Sequence, residues 1–192
     1  AYDGMCVFEY GIVSEVFGLT RPEMTDGWYS YGVASAQGRK IRLVGGLQLT
    51  IDDGLGALVD ADIVILPGWP VDRPPPLALI SALRSASQRG ARLVSICTGA
   101  FALAAAGLLD GKRATTHWIH AETLRTRYPK IKVEPDVLYV DEGNILTSAG
   151  SAAGIDLCLH IVRRDYGAKA ANIVARRMVV APHRDGGQKQ YV

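Results

Sequence analysis

Short, mostly apolar runs alternate along the chain with longer stretches whose apolar positions recur every three or four residues. The runs at residues 40–44, 63–66, 91–96, 114–116 and 145–147 predict strands, and those at 7–17, 77–89, 99–106, 119–128 and 153–166 predict helices. Strands that are apolar throughout are the kind buried on both faces. With helices between them, they imply an α/β fold: a mainly parallel sheet covered on both sides. Residues 137–140 and 145–147 flank the polar turn Asp141-Glu142-Gly143-Asn144, so one hairpin is expected to interrupt the parallel order. Pro74-Pro75-Pro76 reads as a stiff surface connection before a helix, because the core pattern resumes at once.

The two ends break the pattern. A sheet of this type wants an apolar strand ahead of its first helix, yet Ala1-Tyr2 runs straight into the turn Asp3-Gly4. The first strand is therefore expected to be missing. At the other end, residues 182–192 begin Pro182-His183-Arg184-Asp185-Gly186-Gly187 and are polar, the composition of a linker. The expected organisation is one domain over residues 1–181 and a linker over 182–192.

Composition narrows the class. A chain of 192 residues that is 48% hydrophobic and 21% charged can bury a core without disulfides or metals. A net charge of +2 is too mild for a nucleic-acid footprint, so DNA is not an expected partner of this segment by itself. Cys6, Cys97 and Cys158 are odd in number and widely spaced, which builds neither a disulfide framework nor a zinc site and points to a reducing, cytoplasmic setting. No metal or cofactor is expected. The longest apolar stretches, such as 101–109, are about half the ~20 residues that cross a bilayer, so no membrane partner is expected.

One feature carries chemistry. Ala91-Arg92-Leu93-Val94-Ser95-Ile96-Cys97-Thr98-Gly99-Ala100-Phe101 reads as a buried strand, a small turn and an apolar helix in quick succession. A thiol at such a turn is a nucleophile elbow with sulfur in place of oxygen, and the following helix end favours thiolate. The plainer alternative is that Cys97 is a small core residue, since free cysteine is commonly buried.

Ser95-Ile96-Cys97-Thr98-Gly99-Ala100, followed by Ala106-Gly107-Leu108-Leu109-Asp110-Gly111-Lys112-Arg113-Ala114-Thr115-Thr116-His117-Trp118, resembles the ThiJ/PfpI superfamily. Within it, the chain is most similar to the class I glutamine amidotransferase-like domain of GlxA-type AraC-family transcription regulators. Leu66-Pro67-Gly68-Trp69, Thr147-Ser148-Ala149-Gly150 and Gly154-Ile155-Asp156-Leu157-Cys158-Leu159 support the likeness, which covers nearly the whole chain. The resemblance implies a flavodoxin-like three-layer sandwich. It also implies a carboxylate from the first helix beside the elbow cysteine; Glu9 takes that place, although Glu15 is equally available by composition. Gly68 would bring a backbone N–H near the sulfur, as one side of an oxyanion hole. Trp69, Thr98, Gly99, His117 and Trp118 would line a ligand pocket, with His117 the candidate base.

Two departures weigh against catalysis. Peptidase-like relatives carry histidine directly after the cysteine, where this chain has Thr98, and the His-x-Glu pair of amidotransferases is not visible. The resemblance therefore implies the ligand-sensing, homodimerising half of a transcription regulator that binds a small nitrogenous metabolite. DNA would then be reached through a helix-turn-helix domain beyond Val192. The alternative is a cysteine-dependent hydratase of the isocyanide hydratase type, whose members share Cys-Thr-Gly.

Overall fold

The computed structural model describes residues 1–24 and 27–191. Its centre is a four-stranded sheet built from β3 (Ile63–Leu66), β4 (Arg92–Ile96), β7 (Tyr139–Asp141) and β8 (Ile145–Ser148), in the order β3-β4-β8-β7. The first three in that order run parallel, and β7 returns antiparallel to β8. The expected hairpin forms because Gly143 takes a left-handed φ of 82° and donates its N–H to Asp141 Oδ1 at 2.8 Å.

Both faces of the sheet are covered because successive side chains point to opposite sides. Val64, Leu66 and Leu93 pack with α2 (Leu77–Gln88) and α3 (Ala100–Ala105) in one core. Val94, Ile96 and Leu146 pack with α1 (Val7–Val13) and α5 (Ala153–Met178) in the other. The sequence pattern explains α2 well. Pro76 sets an extended entry, Leu79, Leu83 and Ala86 form a buried stripe at helical spacing, and Gly90 ends the turn at φ 93°.

Several boundaries differ from expectation, each for a local reason. Residues 7–17 are helical only to Val13 and continue as a wider π-type turn over Ser14–Gly18. Residues 40–44 do not join the central sheet. Lys40–Arg42 (β1) turns back at Gly45 and Gly46, both at positive φ, and pairs antiparallel with Gln48–Thr50 (β2). Residues 114–116 also leave the main sheet. Arg113–Ala114 (β5) pairs with Lys132–Val133 (β6), while Thr115 donates its N–H to Thr147 Oγ1 at 2.9 Å. Residues 119–128 divide into a 3-10 turn (Trp118–His120) and α4 (Ala121–Arg127). The last helix runs past the expected 166 to Met178, broken only where Gly167 adopts φ 83°, ψ 171°.

Residues 182–191, expected as a linker, lie against the domain; Val192 is outside the described residues. Arg184 Nε donates to Asp156 Oδ1 at 2.9 Å, Gly187 bridges Val137, and Gln188 is buried. Among the described residues no helix is long and apolar enough to cross a membrane.

Leu146 sits fully buried at the middle of β8. Leu146→Ala is expected to lower the free energy of unfolding by about 2–5 kcal/mol, read as a reduced urea midpoint at unchanged slope.

Candidate active site

The carboxyl ends of β3 and β4 meet the first turn of α1, and the sequence makes that meeting possible at two glycines. At the end of β4 the chain turns abruptly: Cys97 has a left-handed φ of 57°, unusual for a residue with a side chain. It opens a 3-10 turn (Cys97–Gly99) that leads directly into α3. A Cβ on Gly99 would lie 2.6 Å from the Leu66 carbonyl oxygen and 2.7 Å from that of Pro67, so only glycine lets the two turns touch. Thr116 Oγ1 donates to the Cys97 carbonyl at 2.9 Å, holding the strained residue from the other side.

Of the two glutamates open to the sequence, Glu9 is the one brought to the cysteine. It is 4% exposed on the inner face of α1, and its Oε2 accepts the Gly68 N–H at 2.6 Å. Glu15 is only half-buried, on the π-type turn, and its carbonyl accepts from Arg21. A Cβ on Gly68 would lie 2.8 Å from Glu9 Oε2 and 3.0 Å from Thr98 Oγ1, so this glycine too is needed for close approach. The Gly68 N–H was expected to face the sulfur as part of an oxyanion hole. It is instead taken by Glu9, whose carboxylate is the stronger acceptor.

The Glu9 carboxyl faces the Cys97 thiol, and both groups are pushed up. Burial raises Glu9 above the usual carboxylate range, against the opposing pull of the Gly68 N–H and the thiol. Burial, then the Glu9 charge, pushes Cys97 to about 12, with the Thr98 N–H acting the other way. The expected stabilisation of thiolate by the following helix is thus outweighed. α3 has only six residues, and removing the sulfur from water beside a carboxyl group favours the protonated thiol.

The other candidate residues make contacts of their own. His117 caps the turn over Trp118–His120 by accepting the Ile119 N–H on Nδ1 at 3.3 Å. That bond leaves the proton of the neutral ring on Nε2, which is then a donor and not a base. Burial and neighbouring His120 lower the His117 pKa, so the ring is neutral at pH 7. Its ring rests on Gly150, where a Cβ would lie 2.0 Å from Cδ2. Trp118 is 41% exposed, with ring centroids 5.7 Å apart in a stack on His117. Trp69 is 5% exposed, packs at a tilt of 48° against Tyr2 and gives its Nε1–H to the Arg73 carbonyl at 2.8 Å, which makes it a core ring with its polar atom already used. Cys6 is exposed and Cys158 fully buried in α5. Among the described residues no group of three or more His, Cys, Asp and Glu is placed to hold a metal.

Thr116 and Gly150 were not singled out as site residues, although both lie in the motifs 106–118 and 147–150. Their roles depend on loop positions brought together across the chain, a hydroxyl on the Cys97 carbonyl and a floor beneath His117.

A strained cysteine at a strand-to-helix turn, facing a buried carboxyl from the first helix, defines a class of α/β domain built around a thiol–carboxyl pair. The chain belongs to the DJ-1/PfpI family, whose profile matches residues 8–164. The HTH-type transcriptional regulator CdhR of Pseudomonas aeruginosa is 34% identical over 153 residues, 79% of this chain and 45% of that protein. The isonitrile hydratase of Pseudomonas putida is 40% identical over 100 residues, covering 52% of this chain and 42% of that enzyme. The chain thus spans less than half the length of either. The crystal structure of an AraC family transcriptional regulator from Pseudomonas putida superposes with a TM-score of 0.81 at 22% identity, over 92% of this chain and 95% of that one, which shows the shared fold.

The raised pKa of Glu9 fixes a pH dependence. The folded state holds its proton more tightly than the unfolded state, so the stability this contributes is complete below the unfolded value near 4.5 and is lost as pH rises through the folded value. Glu9→Gln removes this dependence. Its melting temperature is expected to fall less than that of the wild type between about pH 5 and pH 8, as read by differential scanning calorimetry.

Proposed function

We propose that the chain is the N-terminal ligand-sensing and dimerisation domain of an AraC-family transcriptional regulator, built like an amidase around a nucleophile elbow but used for binding. The observation that carries this reading is a buried thiol that keeps its proton and has no base placed to take it. Cys97 is pushed to about 12, and His117 turns its acceptor nitrogen to the backbone of Ile119. A group that must give up a proton to attack is poorly served by such surroundings. The 34% identity to a helix-turn-helix regulator over 79% of the chain supports the same choice.

The ligand of this reading is a small nitrogenous metabolite: an amine, amide or betaine. It would contact Thr98 and His117 by hydrogen bonds and lay a cationic group on the half-exposed face of Trp118. The link toward a DNA-binding domain beyond Val192 is supported by a short chain of bonds. Thr116 Oγ1 donates to the Cys97 carbonyl at 2.9 Å, and Gln188 Nε2 donates to the Thr116 carbonyl at 3.0 Å. A ligand that shifts the elbow therefore acts on the segment leading out of the domain. A homodimer is supported by exposed Val7 and Phe8 on α1 beside Val44 and Leu47 at the β1–β2 turn.

A second reading, hydration of an isocyanide at Cys97, is favoured by the carboxyl facing the thiol and by the 40% identity to isonitrile hydratase. The test uses the protein with its natural downstream sequence, its promoter DNA and a panel of small amines, amides and betaines. The sensor reading expects one member of the panel to change DNA affinity about 5–150-fold with no product formed. Conversion of an isocyanide to the formamide, abolished by Cys97→Ala and without any effect on DNA binding, would overturn it in favour of the enzyme.

A further inference from the structure

Three residues of α5, Asp156, His160 and Arg163, follow one another at helical spacing and so share one face of the helix. Tyr139 and Asp141, two apart on the edge strand β7, meet that face. His160 Nε2 lies 2.7 Å from Asp141 Oδ2, and the Tyr139 and His160 rings pack with centroids 4.8 Å apart. The segment that follows α5 crosses the same face. Arg163 Nη2 donates to the Pro182 carbonyl at 2.9 Å, and Arg184 Nε donates to Asp156 Oδ1 at 2.9 Å. Between helix, strand and crossing segment lies a cavity of about 210 Å³, lined by Tyr139, Asp156, His160, Arg163, Pro182 and His183.

The charges around this cavity do not balance. Asp156 is matched by Arg184. Asp141, which is not part of the lining, is matched by Arg164, whose Nη1 donates to its two carboxylate oxygens at 2.9 and 2.8 Å. Asp185, 3.2 Å from His183 Nε2, is fully exposed and also lies outside the lining. Arg163 is half-buried, and among the described residues it meets a neutral carbonyl and no carboxylate. A guanidinium so placed gains most from an anion, whose oxygens its planar fork of N–H groups fits.

The neutral groups favour the same kind of ligand. In a neutral His160 ring whose Nε2–H goes to Asp141, Nδ1 carries the lone pair, and the Tyr139 hydroxyl lies 3.4 Å from it. That is a long bond for a hydroxyl, so its proton can turn to a better acceptor in the cavity. Burial raises the pKa of Tyr139 against the pull of Arg163, so the phenol keeps its proton and serves as a donor.

We propose that this cavity is a second ligand site, sharing no residue with the elbow at Cys97, and that it takes a small oxyanion, a carboxylate or a phosphate, on the Arg163 guanidinium, the Tyr139 hydroxyl and the His183 ring. The volume is that of about seven waters at ~30 Å³ each, which suits a phosphate or a short carboxylate and excludes larger ligands. Tyr139 and Arg163 belong to the sheet and its covering helix, whereas His183 belongs to the crossing segment, so the bound anion fastens that segment to α5.

The test titrates the protein at pH 7 with sodium phosphate and, separately, with sodium acetate at constant ionic strength, following the imidazole resonances of His160 and His183 by NMR. At least one of the two anions is expected to give saturable shifts there, with a Kd of about 1 mM or tighter. Saturation by phosphate alone assigns the site to a phosphate group, and saturation by acetate alone assigns it to a carboxylate. Arg163→Gln, and Tyr139→Phe, which keeps the ring against His160, are each expected to raise the Kd at least about tenfold. Shifts that fail to saturate with both anions, saturation that both variants leave unchanged, or shifts centred on His117 instead would overturn the proposal.

Discussion

The contact among Glu9, Gly68 and Cys97 is the constraint on which the rest of the site depends. It joins three elements that are far apart in sequence: the first turn of α1, the end of β3 and the end of β4. The contact demands glycine at 68 and 99, because any Cβ there would meet Glu9 or the carbonyls of Leu66 and Pro67. It demands a left-handed Cys97, held from behind by Thr116. It also decides the protonation chemistry. Burial beside one another raises the proton affinity of both groups, and the thiol keeps its proton well above neutral pH.

Much of this was legible in the sequence, for physical reasons that can be named. The buried strand 92–96 and its turn were visible because an unbroken apolar run ending in Cys-Thr-Gly-Ala has few other uses in an α/β fold. Glu9 could be preferred to Glu15 through family resemblance and through its place on the more apolar side of the helical pattern, though not by composition. What could not be read were features set by tertiary contact. The Gly68 N–H goes to Glu9 because the carboxylate arrives there from a different element. The thiol pKa rises because burial outweighs a six-residue helix, and neither burial depth nor helix length was certain beforehand. The hairpin of β1 and β2 was mistaken for part of the main sheet, because a short apolar run carries no record of its partner.

The two ends of the chain illustrate the same limit. Residues 182–191 have the composition of a linker, yet Arg184 meets Asp156 and Gln188 inserts beside Thr115 and Thr116, behind the elbow. Composition reports that a segment is polar, not whether its polar groups find partners. At the amino end the sheet presents an open edge and a cavity, features that appear only when β3 and residues 30–33 are placed opposite each other.

The account rests most directly on the raised proton affinity of Glu9 beside Cys97. The measurement that decides it is the carboxyl carbon chemical shift of Glu9, followed by NMR from pH 3 to 9 in the wild type and in Cys97→Ala. The account predicts a wild-type midpoint above the ordinary glutamate range, still raised by burial when the thiol is removed, and a wild-type curve that departs from simple one-site titration. A midpoint at or below the ordinary value in the wild type would contradict it, and would return Cys97 to the status of a cysteine beside a plain carboxylate.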